Sequence, residues 1–320
     1  MKNFKILFLS LLAVSFFFTS CEDDETSVNE SQVLVEYLET SGGTVVNNFP
    51  VMKKSTDVKA EILTSADQYV IDIRSAEDFT AGHIEGAVNI EANNVLAHYE
   101  ANDLQNVASV VIVCYSGQTA GWVTGLLHTM GYTNAKDMKW GMCSWNETTA
   151  RSWPGNIGNT YATQLVTQPT AKAEAGQLPV LNTGQTVAED ILRTRVQTVF
   201  AEGFGDAAVT ASAVFGATDN YYIVNYWIQD DYDWGHIPGA IQYTPKKSLT
   251  SDTFLKTLPT DKPIAVYCYT GQTSAHVAAY LRDLGYDAKS VKFGVNGMSY
   301  DAMPGTKWAD SEIHDYDLVQ

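Results

Sequence analysis

The chain repeats itself, and that constrains its fold more than any other property. Ile71-Asp72-Ile73-Arg74 precedes Gly82-His83-Ile84-Glu85-Gly86-Ala87-Val88, and Val224-Asn225-Tyr226-Trp227 precedes Gly235-His236-Ile237-Pro238-Gly239-Ala240-Ile241 at the same interval. Further on, Val111 to Thr119 parallels Ala265 to Thr273 at an offset of 154, and Lys139-x-Gly141 answers Lys292-x-Gly294 at 153. A duplicated unit of this length is an ordinary domain, so the 320 residues divide into two folded units. The spacing places them at residues 46–160 and 187–320, joined by a Thr-, Gln-, Ala- and Gly-rich linker over 161–186 that carries Pro169 and Pro179.

Short apolar runs such as Tyr69-Val70-Ile71 and Val110 to Val113, bounded by polar turns, are the signature of strands buried on both faces. They alternate with helical patterns. Trp122, Val123, Leu126, Leu127 and Met130 fall at helical spacing before Gly131, and Val277, Tyr280, Leu281 and Leu284 do so before Gly285. Each unit is therefore α/β, a mostly parallel sheet with helices on both faces, and ligands are expected at the carboxyl ends of the strands.

Cys114 and Cys268 stand at two such ends, each followed by a tight loop and a helix. Oriented N–H groups and the positive end of the helix dipole there favour thiolate, so a depressed thiol pKa is expected. Gly117 and Gly271, three residues on, are expected at positive φ, which lets the backbone curl around an anion. Thiolate attack on a sulfane sulfur would leave a cysteine persulfide that an acceptor then discharges. The nucleophiles would be Cys114 and Cys268. The loops Tyr115, Ser116, Gly117, Gln118, Thr119 and Tyr269, Thr270, Gly271, Gln272, Thr273 would bind the donor.

Cys-x-x-Gly-x-Thr after an apolar strand, with an upstream Asp-x-Arg and Gly-His-Ile-x-Gly-Ala, resembles the rhodanese family, twice over. The resemblance implies two rhodanese-like domains and sulfur transfer without cofactor or metal, from a small donor such as mercaptopyruvate, polysulfide or thiosulfate to a thiol or cyanide. It gives Thr119 and Thr273 the loop-closing role and makes His83 and His236 packing residues rather than bases. Neither loop holds a cation, so thiosulfate, a dianion, is expected to be a weak donor. Asp72 and Arg74 read as an ion pair bracing the first loop, and Asn225 and Trp227 replace them in the second unit. Cys143 aligns with Asn296, outside any repeated constellation, and reads as a semi-buried thiol.

Two other classes compete. A phosphatase or arsenate reductase needs a longer loop closed by Arg, and no Arg follows either cysteine within seven positions. A non-catalytic binding or redox-sensing module is compatible with the cation-free loops.

At the start, Lys2 and Lys5 precede an apolar run from Ile6 to Phe18, which as a helix rises only about 20 Å, short of a membrane's roughly 30 Å core. Residues 1–20 thus read as a signal peptide and 21–45 as a tether. Phe18-Thr19-Ser20-Cys21 resembles a bacterial lipobox, with Cys21 lipidated, and Glu22 to Glu25 resemble the acidic export signal of Bacteroidota lipoproteins. The location this implies is the cell envelope, anchored to the outer membrane. Loss of Lys2 and Lys5 takes the formal charge from −17 to −19, which repels nucleic acid and anionic headgroups, so attachment would be by lipid.

Overall fold

The computed structural model describes residues 28–40 and 45–320, so the leader and Cys21 lie outside the described residues. The first described element, α1 (Glu30–Thr40), corrects the reading of 21–45 as tether. It buries Leu34, Val35 and Leu38 in the core, and its apolar residues recur at helical spacing.

The first sheet comprises β1 (Met52–Lys53), β2 (Gln68–Asp72), β3 (Val88–Asn89), β4 (Ser109–Val113) and β5 (Ala135–Met138), in the order β1-β5-β4-β2-β3, all parallel. Helices α2 (Ser55–Leu63), α3 (Ala76–Ala81), α4 (Val95–Ala101) and α5 (Gln118–Thr129) connect the strands. Successive side chains of a strand point to opposite faces. Val110 and Ile112 accordingly join one cluster with Leu126 and Leu127 of α5, while Val111 and Val113 join another with Val58 of α2.

The second domain opens with α6 (Ala188–Asp206), broken at Gly203 where φ is +77°, and continues with β6 (Ala208–Val209), α7 (Ala211–Gly216), β7 (Tyr222–Asn225), α8 (Gln229–Trp234), β8 (Ile241–Gln242), β9 (Ile264–Tyr267), α9 (Gln272–Asp283) and β10 (Ala288–Val291). Its sheet order, β6-β10-β9-β7-β8, repeats the first. Val224, Ile264 and Val266 face the α9 side, and Ile223, Ala265 and Tyr267 face Val214 of α7. The α/β class, the parallel sheets and the duplication expected from sequence are all present.

The domains share one core. α5 and α9 run side by side in the same direction, with Gly121 of α5 under Gln272 and His276, Gly125 under His276 and Ala279, and Thr129 bonded to Asp283. A Cβ at Gly125 would come within 2.9 Å of the Ala279 Cβ, so only glycine admits this approach. The apolar spacing of α5 marks one buried face. In the structure Gln118 and Ala120 to Thr129 are all buried, because the other face packs on the second domain.

The segments after each sheet change partners. Val166 and His236 form an antiparallel bridge on the second domain, and Val319 forms the equivalent bridge with His83 on the first. The segment expected to be a linker is laid down on neighbouring structure: Gly176 N–H donates to Lys256 O, and the Glu30 carboxylate of α1 accepts from the Thr183 and Gly184 N–H groups. Among the described residues no helix is long and apolar enough to cross a membrane.

Candidate active sites

Cys114 follows the last residue of β4, and Gly117, at φ +85°, turns the chain into α5. The Gly117 and Ala120 N–H groups donate to Cys114 Sγ at 3.1 and 3.4 Å. Cys268 follows β9 in the same way, with Gly271 at φ +78°, and receives the Gly271 and Ser274 N–H groups at 3.2 and 3.4 Å. Both loops are thus anion cradles of the kind an exposed helix N-terminus builds. Both sulfurs are nearly enclosed, with 3% and 2% residue exposure.

The expectation of a depressed pKa fails at Cys114. Burial pushes its thiol up to about 11, against the pull of the Ala120, Ser116 and Gly117 N–H groups. Loss of solvation outweighs two or three neutral donors when the group is fully enclosed. Beneath Cys268 lie hydroxyls instead: its Sγ is 3.6 Å from Ser274 Oγ, which is 2.8 Å from Ser290 Oγ, and Ser290 Oγ donates to Gly271 O at 3.1 Å.

The flanking residues also differ. Arg74 meets Asp72 through two nitrogens, the closest contact being Nη2 to Oδ2 at 2.7 Å, and also donates to Gly82 O at 2.8 Å. This pair is buried, with the guanidinium 6.0 Å from the Tyr115 ring. Tyr115, 41% exposed, donates its hydroxyl to Asp78 Oδ2 at 2.5 Å, and that bond together with the Ser75 hydroxyl holds the Asp78 carboxyl below its ordinary range. In the second domain Tyr269 bonds Asp231, the residue equivalent to Asp78, but its ring stacks on Trp227 at 4.8 Å. Asn225 donates to the Tyr267 hydroxyl at 2.8 Å. An aromatic stack has replaced the ion pair behind the loop.

Both domains match one family. A family model for the Rhodanese-like domain covers residues 55–148 and 220–300. The chain belongs to the rhodanese-like family. It is 29% identical over 89 residues to the thiosulfate sulfurtransferase GlpE of Pseudomonas fluorescens strain SBW25, an alignment covering 28% of this chain and 80% of that protein. It is 24% identical over 108 residues to the adenylyltransferase and sulfurtransferase uba4 of Ogataea parapolymorpha, covering 33% of this chain but only 28% of that protein's length. Among solved structures, the thiosulfate sulfurtransferase of Pseudomonas aeruginosa matches with a TM-score of 0.31 and 17% identity, over 88% of this chain and 49% of that one.

The other residues singled out in the sequence fall around these two rhodanese-like loops. His83 Nδ1 is 2.9 Å from Phe79 O with its ring stacked on Phe79 at 3.7 Å, and His236 repeats this with Tyr232 while its Nε2 meets Gln168 O at 3.0 Å. Thr119 and Thr273 are half-buried in the first helical turn. The N–H that closes each cradle belongs to the next residue, Ala120 or Ser274. Cys143 is fully buried in an aromatic cluster with Trp140, Trp153 and Trp308, rather than semi-buried.

Three features escaped the sequence reading. Gly141 and Gly294 support the loops from below: a Cβ on Gly141 would lie 2.6 Å from Gly117 N and 2.7 Å from Ser116 N, and one on Gly294 would lie 2.8 Å from Thr270 N. The repeated Lys-x-Gly was visible, but nothing in it named the loop as its neighbour. The glutamines cross between domains, Gln118 Oε1 accepting from Phe293 N at 2.7 Å and the Gln272 amide lying against Gly117. Asp137 and His276 meet across the same interface, both fully buried, with Oδ1 and Nε2 2.8 Å apart.

Proposed function

We propose that this protein is a sulfurtransferase that carries sulfane sulfur as a cysteine persulfide on Cys268 and Cys114, with Cys114 held back at neutral pH by burial of its thiol. The observation that carries the reading is the duplicated cradle, a strand-end cysteine whose sulfur receives two helix N-terminal N–H groups in each domain. The thiolate attacks the donor's outer sulfur, the donor's remaining fragment leaves with the bonding pair, and the cradle holds the resulting S–S⁻ anion. An acceptor thiolate or cyanide then attacks the outer sulfur and the cysteine thiolate leaves, so the two half-reactions balance without an oxidant.

The loops Tyr115 to Thr119 and Tyr269 to Thr273 would receive the donor. They offer tyrosine rings, hydroxyls and backbone N–H groups, the two glutamine side chains being buried across the interface, and the nearby Arg74 is committed to Asp72. Mercaptopyruvate, polysulfide or a protein persulfide suits such walls better than thiosulfate. Asp72, Arg74, His83 and His236 act as supports in this scheme. Lipidation of Cys21 and residence in the cell envelope belong to the same proposal and rest on the leader sequence alone.

Incubation with each donor followed by intact-mass measurement and peptide mapping tests it. Gain of one sulfur atom on Cys268 is expected, and a chain that stays unmodified with mercaptopyruvate, polysulfide and thiosulfate alike overturns it. For the first domain a second reading is favoured by its thiol, raised to about 11: a domain that shapes the interface and transfers no sulfur at pH 7. Sulfur on Cys114 at pH 7 would eliminate that reading.

A further inference from the structure

We infer that His276, on the active-site helix of the second domain, is a positioning residue for Cys114 of the first, pairing across the interface with the buried Asp137 so that no net charge stands beneath that thiol.

Asp137 lies on β5 opposite Ile112 of β4, the strand that ends at Cys114. It is fully buried, and neither carboxylate oxygen has a hydrogen-bond partner among the described residues. An enclosed carboxylate without a counter-group is costly by several kcal/mol, so something must neutralise it. His276 is the group placed to do so. Its Nδ1 lies 2.9 Å from Gln272 O, a pure acceptor, and must therefore carry a hydrogen. The lone pair of a neutral ring would then face the carboxylate at 2.8 Å, where two acceptors repel. One proton must lie in that contact. With it, the pair is neutral overall, whichever partner holds it.

The approach depends on Gly121 of α5. A Cβ there would lie 3.1 Å from His276 Cε1 and 3.0 Å from Gln272 O, so a larger residue would push α9 away from Asp137. Other groups facing the pair cannot substitute. His128 on α5 is held uncharged by burial, its pKa down at about 4, and its Nε2 is engaged with Ala135 O at 2.8 Å. Lys136 precedes Asp137 on β5, so its side chain points to the opposite face of the sheet, and its Nζ bonds Thr133 O. Lys53 on the neighbouring β1 is bound to Glu61 and Ser109. Phe49 supplies an apolar wall, its ring 5.1 Å from that of His276.

The arrangement is one-sided. By the offsets of the repeat, the second domain has Ser290 where the first has Asp137, and the first has Trp122 where the second has His276. Among the described residues the pairing is made at the Cys114 site alone, with the acid from its own domain and the neutralising group from the other.

The test follows the pH dependence of iodoacetamide alkylation at Cys114 and Cys268 separately, by peptide mass spectrometry on the full chain. Asp137→Asn, which leaves that interface without net charge as before, should keep the Cys114 midpoint within about 0.3 pH unit of the parent. His276→Gln, which removes the partner from Asp137, should slow Cys114 on the order of tenfold at pH 10, and the double variant should return to the parent profile. Cys268 should keep its profile throughout. An unchanged Cys114 profile in folded His276→Gln overturns the inference, as does a parallel change at both cysteines, which would mean general loosening. If His276→Gln does not fold, Asp137→Asn decides alone, a Cys114 midpoint lower by a pH unit showing net negative charge beneath the thiol and sinking the idea. The consequence for turnover rests on the sulfurtransferase reading, but alkylation needs no sulfur donor, so either proposal can fail without the other.

Discussion

The two cysteine loops have the same backbone and different surroundings. In both, a glycine at positive φ bends the chain so that two N–H groups reach the sulfur, and a second glycine, Gly141 or Gly294, lies close beneath. Around that shared frame the first domain uses charges, Asp72 with Arg74 beside the loop and Asp137 with His276 below it. The second uses neutral groups, Trp227 stacked on Tyr269 and the Ser274–Ser290 hydroxyls. Backbone geometry can therefore be duplicated while the surroundings of the sulfur diverge, because the cradle supplies a fixed number of donors and the enclosing side chains set the cost of the charge they must hold.

The largest effect expected from this contrast is chemical. With its thiol raised to about 11, Cys114 is nearly all protonated at pH 7, so Cys268→Ser should lower turnover on the order of 10³-fold and Cys114→Ser by less than about twofold. The remaining activity of Cys268→Ser should climb as pH rises toward 11. Steady-state assays of both variants across pH check this, and loss of all neutral-pH turnover in Cys114→Ser would break the comparison.

Next in size is the ion pair. Arg74→Met leaves Asp72 buried without its partner and should cost about 3–4 kcal/mol in urea unfolding, whereas Trp227→Phe, which keeps an aromatic ring behind the loop, should cost about 1–2 kcal/mol. Equal losses would mean that the charge contributes nothing special.

Gly141→Ala and Gly294→Ala probe what the domains share. Each forces a Cβ into the cradle backbone at positive φ, and each should cost about 2–3 kcal/mol by the same measurement. A large difference between them would show that the two loops are supported differently after all.

The most gradual effect, spread over several pH units, concerns the far ends of the paired helices, where Thr129 Oγ1 donates to Asp283 Oδ2 at 2.7 Å. Burial holds the Asp283 carboxyl protonated up to about 8, against 3.8 for the ordinary group. A proton bound more tightly in the folded state stabilises fully below pH 3.8, and that contribution is lost as pH rises toward 8. The slope from this group is at most about 1.4 kcal/mol per pH unit, and Asp283→Asn should flatten it in stability curves measured between pH 5 and 8.

Much of this architecture could be read from residue order. The alternation of Val110 to Val113 with the helical spacing after Thr119 gives strand, loop and helix, and the repeat gives two copies, because period and punctuation are local properties. The roles of Gly117 and Gly271 were legible for the same reason, since a tight turn into a helix demands a residue that tolerates positive φ. Glu30–Thr40 carried a helical signal too, but it was hidden beside a polar stretch.

The sequence by itself determined that there are two α/β domains of one kind, each ending a buried strand in a cysteine. Only the tertiary structure decided what surrounds those cysteines. Asp137 and His276 are 139 positions apart, as Gln118 and Phe293 are 175 apart, and neither pair lies at matching places in the repeat. They meet because Gly121 and Gly125 let α5 and α9 pack closely, and thiol acidity follows from that enclosure rather than from the residues beside the sulfur in the chain. Solvation and charge are properties of neighbourhood in space, and a repeat in sequence does not specify them.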